Sequence, residues 1–186
     1  AEQLRREKLF RLLDEICKTG GTCFFVGDLF DFYFEYPDVI PKAYSDFYNK
    51  ALEMKTKGVN LHFQTGNHDY WFQDFLDKKI MDKIYTEDLD IMIAGKKFFI
   101  THGDGLLSWD HGYRILKKII RSKFFINLFR WIHPTIAYKI ARFVSRSGKE
   151  ETHQADYYND VKIELQSPCY HVLFVFAPKP LSSTKL

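Results

Sequence analysis

Apolar and polar positions change period several times along the chain, and each change marks an element. Between residues 2 and 18, Leu4, Leu9, Leu12, Leu13 and Ile16 recur at helical spacing in a charged background, and Gly20-Gly21 closes the stretch. The run Thr22 to Val26 (TCFFV) is short, apolar, aromatic and glycine-flanked, which predicts a buried strand. Residues 41–57 predict a second helix, with Pro41 near its first turn and Gly58 just past its end. Asn60-Leu61-His62-Phe63 then alternates polar and apolar, the period of a half-buried strand. Two more strands, over 91–94 and 97–101, are predicted as a hairpin turning at Gly95-Lys96. Residues 111 to about 145 read as helix, with a break expected at Pro134, and 171–176 (HVLFVF) as a last buried strand. There is no internal repeat and no low-complexity segment. Helices alternate with strands early and a hairpin comes later, so the expected class is α/β with a mixed, largely buried sheet.

Composition narrows this only slightly. In 186 residues, 46% are apolar and 17% aromatic, enough for one domain with a hydrophobic core. Cys17, Cys23 and Cys169 are odd in number and lack CxxC spacing, as expected of reduced thiols in a cytoplasmic protein. No stretch of about 18 uncharged apolar residues is present, so no membrane span is expected. The start is a charged amphipathic helix rather than a signal peptide, and it lacks an initiator Met, so the chain is expected to begin inside a longer protein.

Charge changes the picture more. Ten cations (Arg114, Lys117, Lys118, Arg121, Lys123, Arg130, Lys139, Arg142, Arg146 and Lys149) lie between His111 and Lys149 with no Asp or Glu among them. The remainder carries 17 basic against 24 acidic residues, so a cationic stretch sits on an acidic body.

Three predicted strands end in the same chemistry. FFV runs into Gly27-Asp28, LHFQT into Gly66-Asn67-His68-Asp69, and FFIT into His102-Gly103-Asp104. Ligand sites in α/β sheets collect at the carboxyl ends of strands. If these ends neighbour one another, Asp28, Asn67 and His102 converge as a carboxylate, an amide oxygen and an imidazole. That donor set suits Mn, Fe or Zn, and a carboxylate can bridge two ions about 3.5–4 Å apart in a two-metal hydrolase.

The segments GDLFDF, GNHD and THGD resemble successive blocks of the calcineurin-like metallophosphoesterases. Residues 101–134, from THGDGLLSWDHGYR to WIHP, are similar to the UDP-2,3-diacylglucosamine hydrolases of lipid A synthesis, and the resemblance covers most of the chain. It implies a two-sheet sandwich flanked by helices, a single domain over 1–186 with a helical cap inserted at about 111–150, and two Mn²⁺. On that pattern Asp28 would bridge the ions, and Asn67 and His102 would hold the second. His68 would sit over the scissile phosphate as the catalytic group, oriented by Asp69. Asn67, His68, Asp110, Ser147 and Lys149 would contact substrate. The implied partners are a lipid-linked nucleotide and an anionic membrane, with a peripheral place on the inner face of the inner membrane.

The chain departs from the family at two places. It begins in a helix where the family opens with a strand ending in Asp-x-His. Phe176 and Pro178, in FVFAPKP, stand where the family has the two histidines of Gly-His-x-His. Neither residue has a side-chain metal donor, so impaired activity is expected. A different phosphoesterase, or a non-catalytic lipid-binding remnant, are the alternatives. For the basic stretch, packing of an apolar face on the sheet competes with a cap that takes acyl chains and meets anionic headgroups. Nucleic acid is not expected as a partner, because the cations alternate with aliphatics rather than with exposed stacking aromatics.

Overall fold

The computed structural model describes residues 2–93, 95–103 and 111–139, and residues 174–177 as backbone. Helix α1 (Glu2–Thr19) leads into strand β1 (Gly21–Val26). After an aromatic loop and a short 3-10 turn (Lys42–Tyr44) come helix α2 (Ser45–Thr56) and strand β2 (Val59–Gln64). A wide helical turn (Leu76–Ile80) precedes strand β3 (Lys83–Tyr85), and strands β4 (Leu89–Ile93) and β5 (Lys96–Ile100) form a hairpin. Helices α3 (His111–Ile120) and α4 (Lys123–Arg130) follow, and strand β6 (Phe174–Ala177) is the last described element.

β1 lies between β2 and β6 in a four-stranded sheet of order β3-β2-β1-β6. β1, β2 and β3 run parallel, with Phe25 opposite Phe63 and Val26 opposite Gln64, so β1 and β2 end side by side. Helices cover one face. Leu13 and Ile16 of α1 and Phe47, Ala51 and Met54 of α2 pack on Cys23, Phe25, Leu61 and Phe63, all buried. The opposite face of β1 carries Phe24 and Val26, and the β4-β5 hairpin closes over them with Ile93 and Ile100. A central strand covered on both sides reads as an uninterrupted apolar run, which is why TCFFV does not alternate. Cys17 and Cys23 are free and buried in the helix-side core, and burial pushes the Cys23 thiol up to about 12.

The structure corrects or refines the expectation at three places. The hairpin pairs Ile93 with Lys96, so Lys96 belongs to β5 rather than to the turn. This register sets Ile91 opposite Phe98, so the apolar side chains share the face that meets β1; a one-residue slip would turn one strand's set away. The first break in the basic stretch falls at Arg121-Ser122, twelve residues before Pro134. Ser122 is extended and its hydroxyl accepts from the Phe125 N–H at 3.2 Å, an N-cap that starts α4. A second break, at 131–133, does precede Pro134, and helix resumes over 134–139. Finally, β6 runs antiparallel to β1 with Ala177 opposite Thr22. The carboxyl end of β6 therefore lies beside the start of β1, at the far end of the strand from Asp28. Pro178 and the 171–173 part of the predicted strand lie outside the described residues.

Candidate functional site

β1 ends at Gly27-Asp28, where both residues adopt left-handed backbone (φ 62° and 48°) and the chain turns back over the end of the sheet. Asp is among the few side chains that tolerate this conformation, at a cost of about 1–2 kcal/mol. The turn is held by the Gly27 N–H, which donates to the Gln64 carbonyl at 2.8 Å, and by Asp28 Oδ1, which accepts from the His68 N–H at 3.0 Å. A methyl group at Gly27 would overlap the His102 ring, and one at Gly66 would overlap the Asp28 carboxylate. The two glycines thus let three strand ends approach one another closely.

The carboxylate, amide and imidazole meet. His102 Nε2 lies 3.0 Å from Asn67 Oδ1 and 3.4 Å from Asp28 Oδ2. The Asp28 and His102 side chains are 34% and 17% exposed, so the cluster opens to solvent at its edge. Burial pushes the Asp28 pKa up, but the hydrogen bond and charge of His102, with the His68 N–H, outweigh it and leave a net lowering. An ionised carboxylate ready to accept a cation is the result.

The donor chemistry and spacing fit one divalent ion. Two neighbouring ligands about 2.1 Å from one ion stand about 3 Å apart, the separation seen between His102 and Asn67. A complete two-metal centre is not met by the described residues. No three His, Cys, Asp or Glu side chains cluster among them, and a second ion would have Asp28 alone.

Asp69 is fully buried and does not orient His68 as expected. Its Oδ2 accepts from the Leu29 N–H at 2.7 Å and from the Phe30 N–H at 3.4 Å, while Oδ1 accepts from the Gly66 N–H at 2.7 Å. One carboxylate therefore ties the loop after β1 to the loop after β2. Burial is the main cause that raises its pKa, to about 6, with the nearby Asp28 charge adding to it. His68 is oriented instead by the Asp31 carbonyl, 2.6 Å from Nδ1. A carbonyl only accepts, so Nδ1 carries the proton and Nε2 is the ring nitrogen left for a ligand.

The aromatic segment after Asp28 divides between two tasks. Phe30 and Tyr33 are buried in the helix-side core, and the Tyr33 hydroxyl donates to Glu35 at 2.7 Å. Phe34 and Trp71 form the seat of the basic insert. Trp71 stacks on Phe125 and Phe129, Phe34 meets Phe129, and Tyr36 donates to the Ile132 carbonyl at 2.7 Å. Glu35, buried beneath, accepts from the N–H groups of Gln73, Phe75 and Leu76 and fixes the chain leaving the Asn67-His68-Asp69 loop.

Among the described residues, α3 and α4 leave much of their apolar side chains uncovered. No residue with a described side chain in α3 or α4 is buried, and Ile115, Leu116, Ile119 and Leu128 are exposed, with Phe124 at 79% and Trp131 at 90%. Arg121 turns inward, its guanidinium 4.4 Å over the Tyr70 ring and donating to the Gly66 carbonyl at 3.1 Å. Sequence reasoning missed Arg121, Trp71 and Glu35. Glu35 and Trp71 sit among many aromatics, and nothing in the order of residues separates Arg121 from nine other cations. Asp110, Ser147 and Lys149 lie outside the described residues.

Strand ends converging on a metal-type donor set, with a hairpin packed over a mixed sheet, define a metallophosphoesterase fold. The chain belongs to the calcineurin-like phosphoesterase family, whose model matches residues 4–163. Among curated proteins it is similar to UDP-2,3-diacylglucosamine hydrolase of Porphyromonas gingivalis, with 31% identity over 148 residues, 77% of this chain and 56% of that protein. The enzymes of the same name from Proteus mirabilis and Histophilus somni are 26% and 28% identical over 83% and 71% of this chain and 64% and 56% of theirs. The chain thus spans less than two thirds of the length of these relatives.

Proposed function

We propose that this chain is the body of a metal-dependent hydrolase that cleaves the pyrophosphate of UDP-2,3-diacylglucosamine to 2,3-diacylglucosamine 1-phosphate and UMP. The observation that carries this reading is the meeting of Asp28, Asn67 and His102 at one open point, with His68 beside it and the basic insert seated on the same loop. Asp28, Asn67 and His102 would hold the ion, Mn²⁺ in our reading. Bound there, a divalent cation supplies Lewis-acid stabilisation of phosphoryl oxygens. His68 Nε2 would face the scissile phosphate and stabilise charge on the leaving side, since the Asp31 carbonyl fixes the opposite nitrogen. Asn67, Asp110, Ser147 and Lys149 would contact the headgroup.

The open apolar positions of α3 and α4, interleaved with cations, support acyl-chain contact and docking on an anionic inner leaflet. Among the described residues no helix is long and apolar enough to cross a membrane, so docking would be peripheral.

The test is UMP release from UDP-2,3-diacylglucosamine in detergent, with and without Mn²⁺, beside hydrolysis of a water-soluble phosphodiester. Mn²⁺-dependent UMP release that Asp28→Asn abolishes supports the reading. Preference for the soluble diester would replace it with another phosphoesterase activity. Binding of the lipid nucleotide without turnover, at any Mn²⁺ concentration, would make the chain a non-catalytic lipid-binding form of the fold.

A further inference from the structure

We infer that Arg121 is a positioning residue through which the helical insert fixes the loop carrying Asn67 and His68. The inference rests on the reading that Asp28, Asn67 and His102 hold a cation. Arg121 stands at the elbow between α3 and α4, where its own N–H closes the last turn of α3 on the Lys117 carbonyl. From there the side chain leaves the insert, covers the Tyr70 ring and donates to the Gly66 carbonyl. Gly66 is thereby gripped from two directions, since its N–H already donates to buried Asp69. The next residue is Asn67, whose amide oxygen is one of the three converging donors. A second tether runs the other way across the same seam: the Trp71 indole N–H donates to the Ile120 carbonyl at 3.0 Å. The segment from Gly66 to Trp71 is therefore bound at both ends to the residue pair Ile120-Arg121.

A planar guanidinium can stack on a ring and direct an N–H at a carbonyl together; an ammonium cannot reproduce both. Groups that orient a metal ligand typically alter metal affinity 10- to 100-fold when removed, without touching the ion. Arg121 acts one step further out, so the low end of that range applies.

The experiment compares the full chain with Arg121→Ala and Arg121→Lys, reading Mn²⁺ affinity by titration calorimetry and backbone hydrogen exchange in peptides covering 65–71 and 45–56. We expect Arg121→Ala to weaken Mn²⁺ binding about tenfold and to speed exchange at 65–71 by a similar factor, with 45–56 unchanged. Arg121→Lys should recover neither. Unchanged affinity and exchange in Arg121→Ala would overturn the inference. If the unaltered chain takes up no Mn²⁺, the metal reading fails, and exchange at 65–71 alone then decides for or against Arg121. If Arg121→Ala opens the whole domain, seen as faster exchange at 45–56 as well, Tyr70→Leu removes only the ring under the guanidinium and decides in the same two ways.

Discussion

The loops at the carboxyl end of the sheet and the helices of the insert are built on opposite principles. In the loops, two buried carboxylates are paired: Asp69 satisfies three backbone N–H groups, and Glu35 three more. In the insert, apolar groups are left in water, with Trp131 and Phe124 almost fully exposed. A buried, satisfied polar network fixes one geometry, because any alternative leaves a donor without a partner. An exposed apolar surface fixes nothing within the chain and has its favourable partner elsewhere. The loops are therefore organised for precision, the described face of the insert is left open, and Arg121 and Trp71 are where the two meet.

The largest test of this contrast is Asp69→Ala. It would strand the N–H groups of Gly66, Leu29 and Phe30 in a dry site, and we expect a loss of about 3 kcal/mol in chemical denaturation, together with loss of Mn²⁺ binding. A loss below about 1 kcal/mol would show that water replaces the carboxylate and that the loops are not rigid in the sense argued. Gly66→Ala should come next. Its methyl would displace the Asp28 carboxylate and backbone, for which about 1–3 kcal/mol and a marked fall in Mn²⁺ affinity are expected. Wild-type metal affinity in that variant would remove Asp28 from the proposed ligand set.

The same measurements on the insert should look different in kind. Phe124→Ala combined with Trp131→Ala touches side chains already in solvent, so unfolding free energy should change by no more than about 0.5 kcal/mol. Partition onto vesicles containing phosphatidylglycerol should weaken by about tenfold, because two large apolar groups no longer enter the interface. An unchanged partition would mean that this face serves something other than a lipid surface.

How much of this could be read from the residues in order follows the same division. The helices were legible from their 3.6-residue period, β2 from its alternation and β1 from its short glycine-flanked apolar run, whereas β3, only three residues long, was not foreseen. The meeting of Asp28, Asn67 and His102 was legible because the three follow predicted strands in succession; Asp or Asn alone is an ordinary turn residue. Their meeting depends on β1 and β2 being parallel neighbours, which the order of residues implied but did not state. The role of Asp69 was not legible. Its partners are backbone N–H groups, two of them about forty residues away, and a backbone amide has no signature in a sequence. The open face of α3 and α4 was ambiguous for a related reason: an amphipathic pattern shows which side of a helix is apolar, not whether the protein covers it. Arg121 was hidden by its neighbours, since ten cations in one stretch make charge uninformative about any single one.

Ser122→Ala should have the smallest effect and sharpen the comparison most finely. The Ser122 hydroxyl caps α4 by accepting from Phe125, and losing such a cap costs about 1 kcal/mol. If loops and insert form one cooperative unit, that cost lowers the stability of everything, and exchange speeds up together at 45–56, 65–71 and 123–130. If the insert opens independently, as its exposed surface implies, the cost is confined to its own opening equilibrium. We expect the second outcome: exchange at 123–130 about fivefold faster, exchange at 45–56 unchanged, and a denaturation midpoint indistinguishable from that of the unaltered chain. The peptide at 65–71 is the sensitive one. It should follow the insert in part, because Arg121 and Trp71 tether it to the residues immediately before Ser122, and complete indifference there would mean that the seam transmits nothing between the two regions.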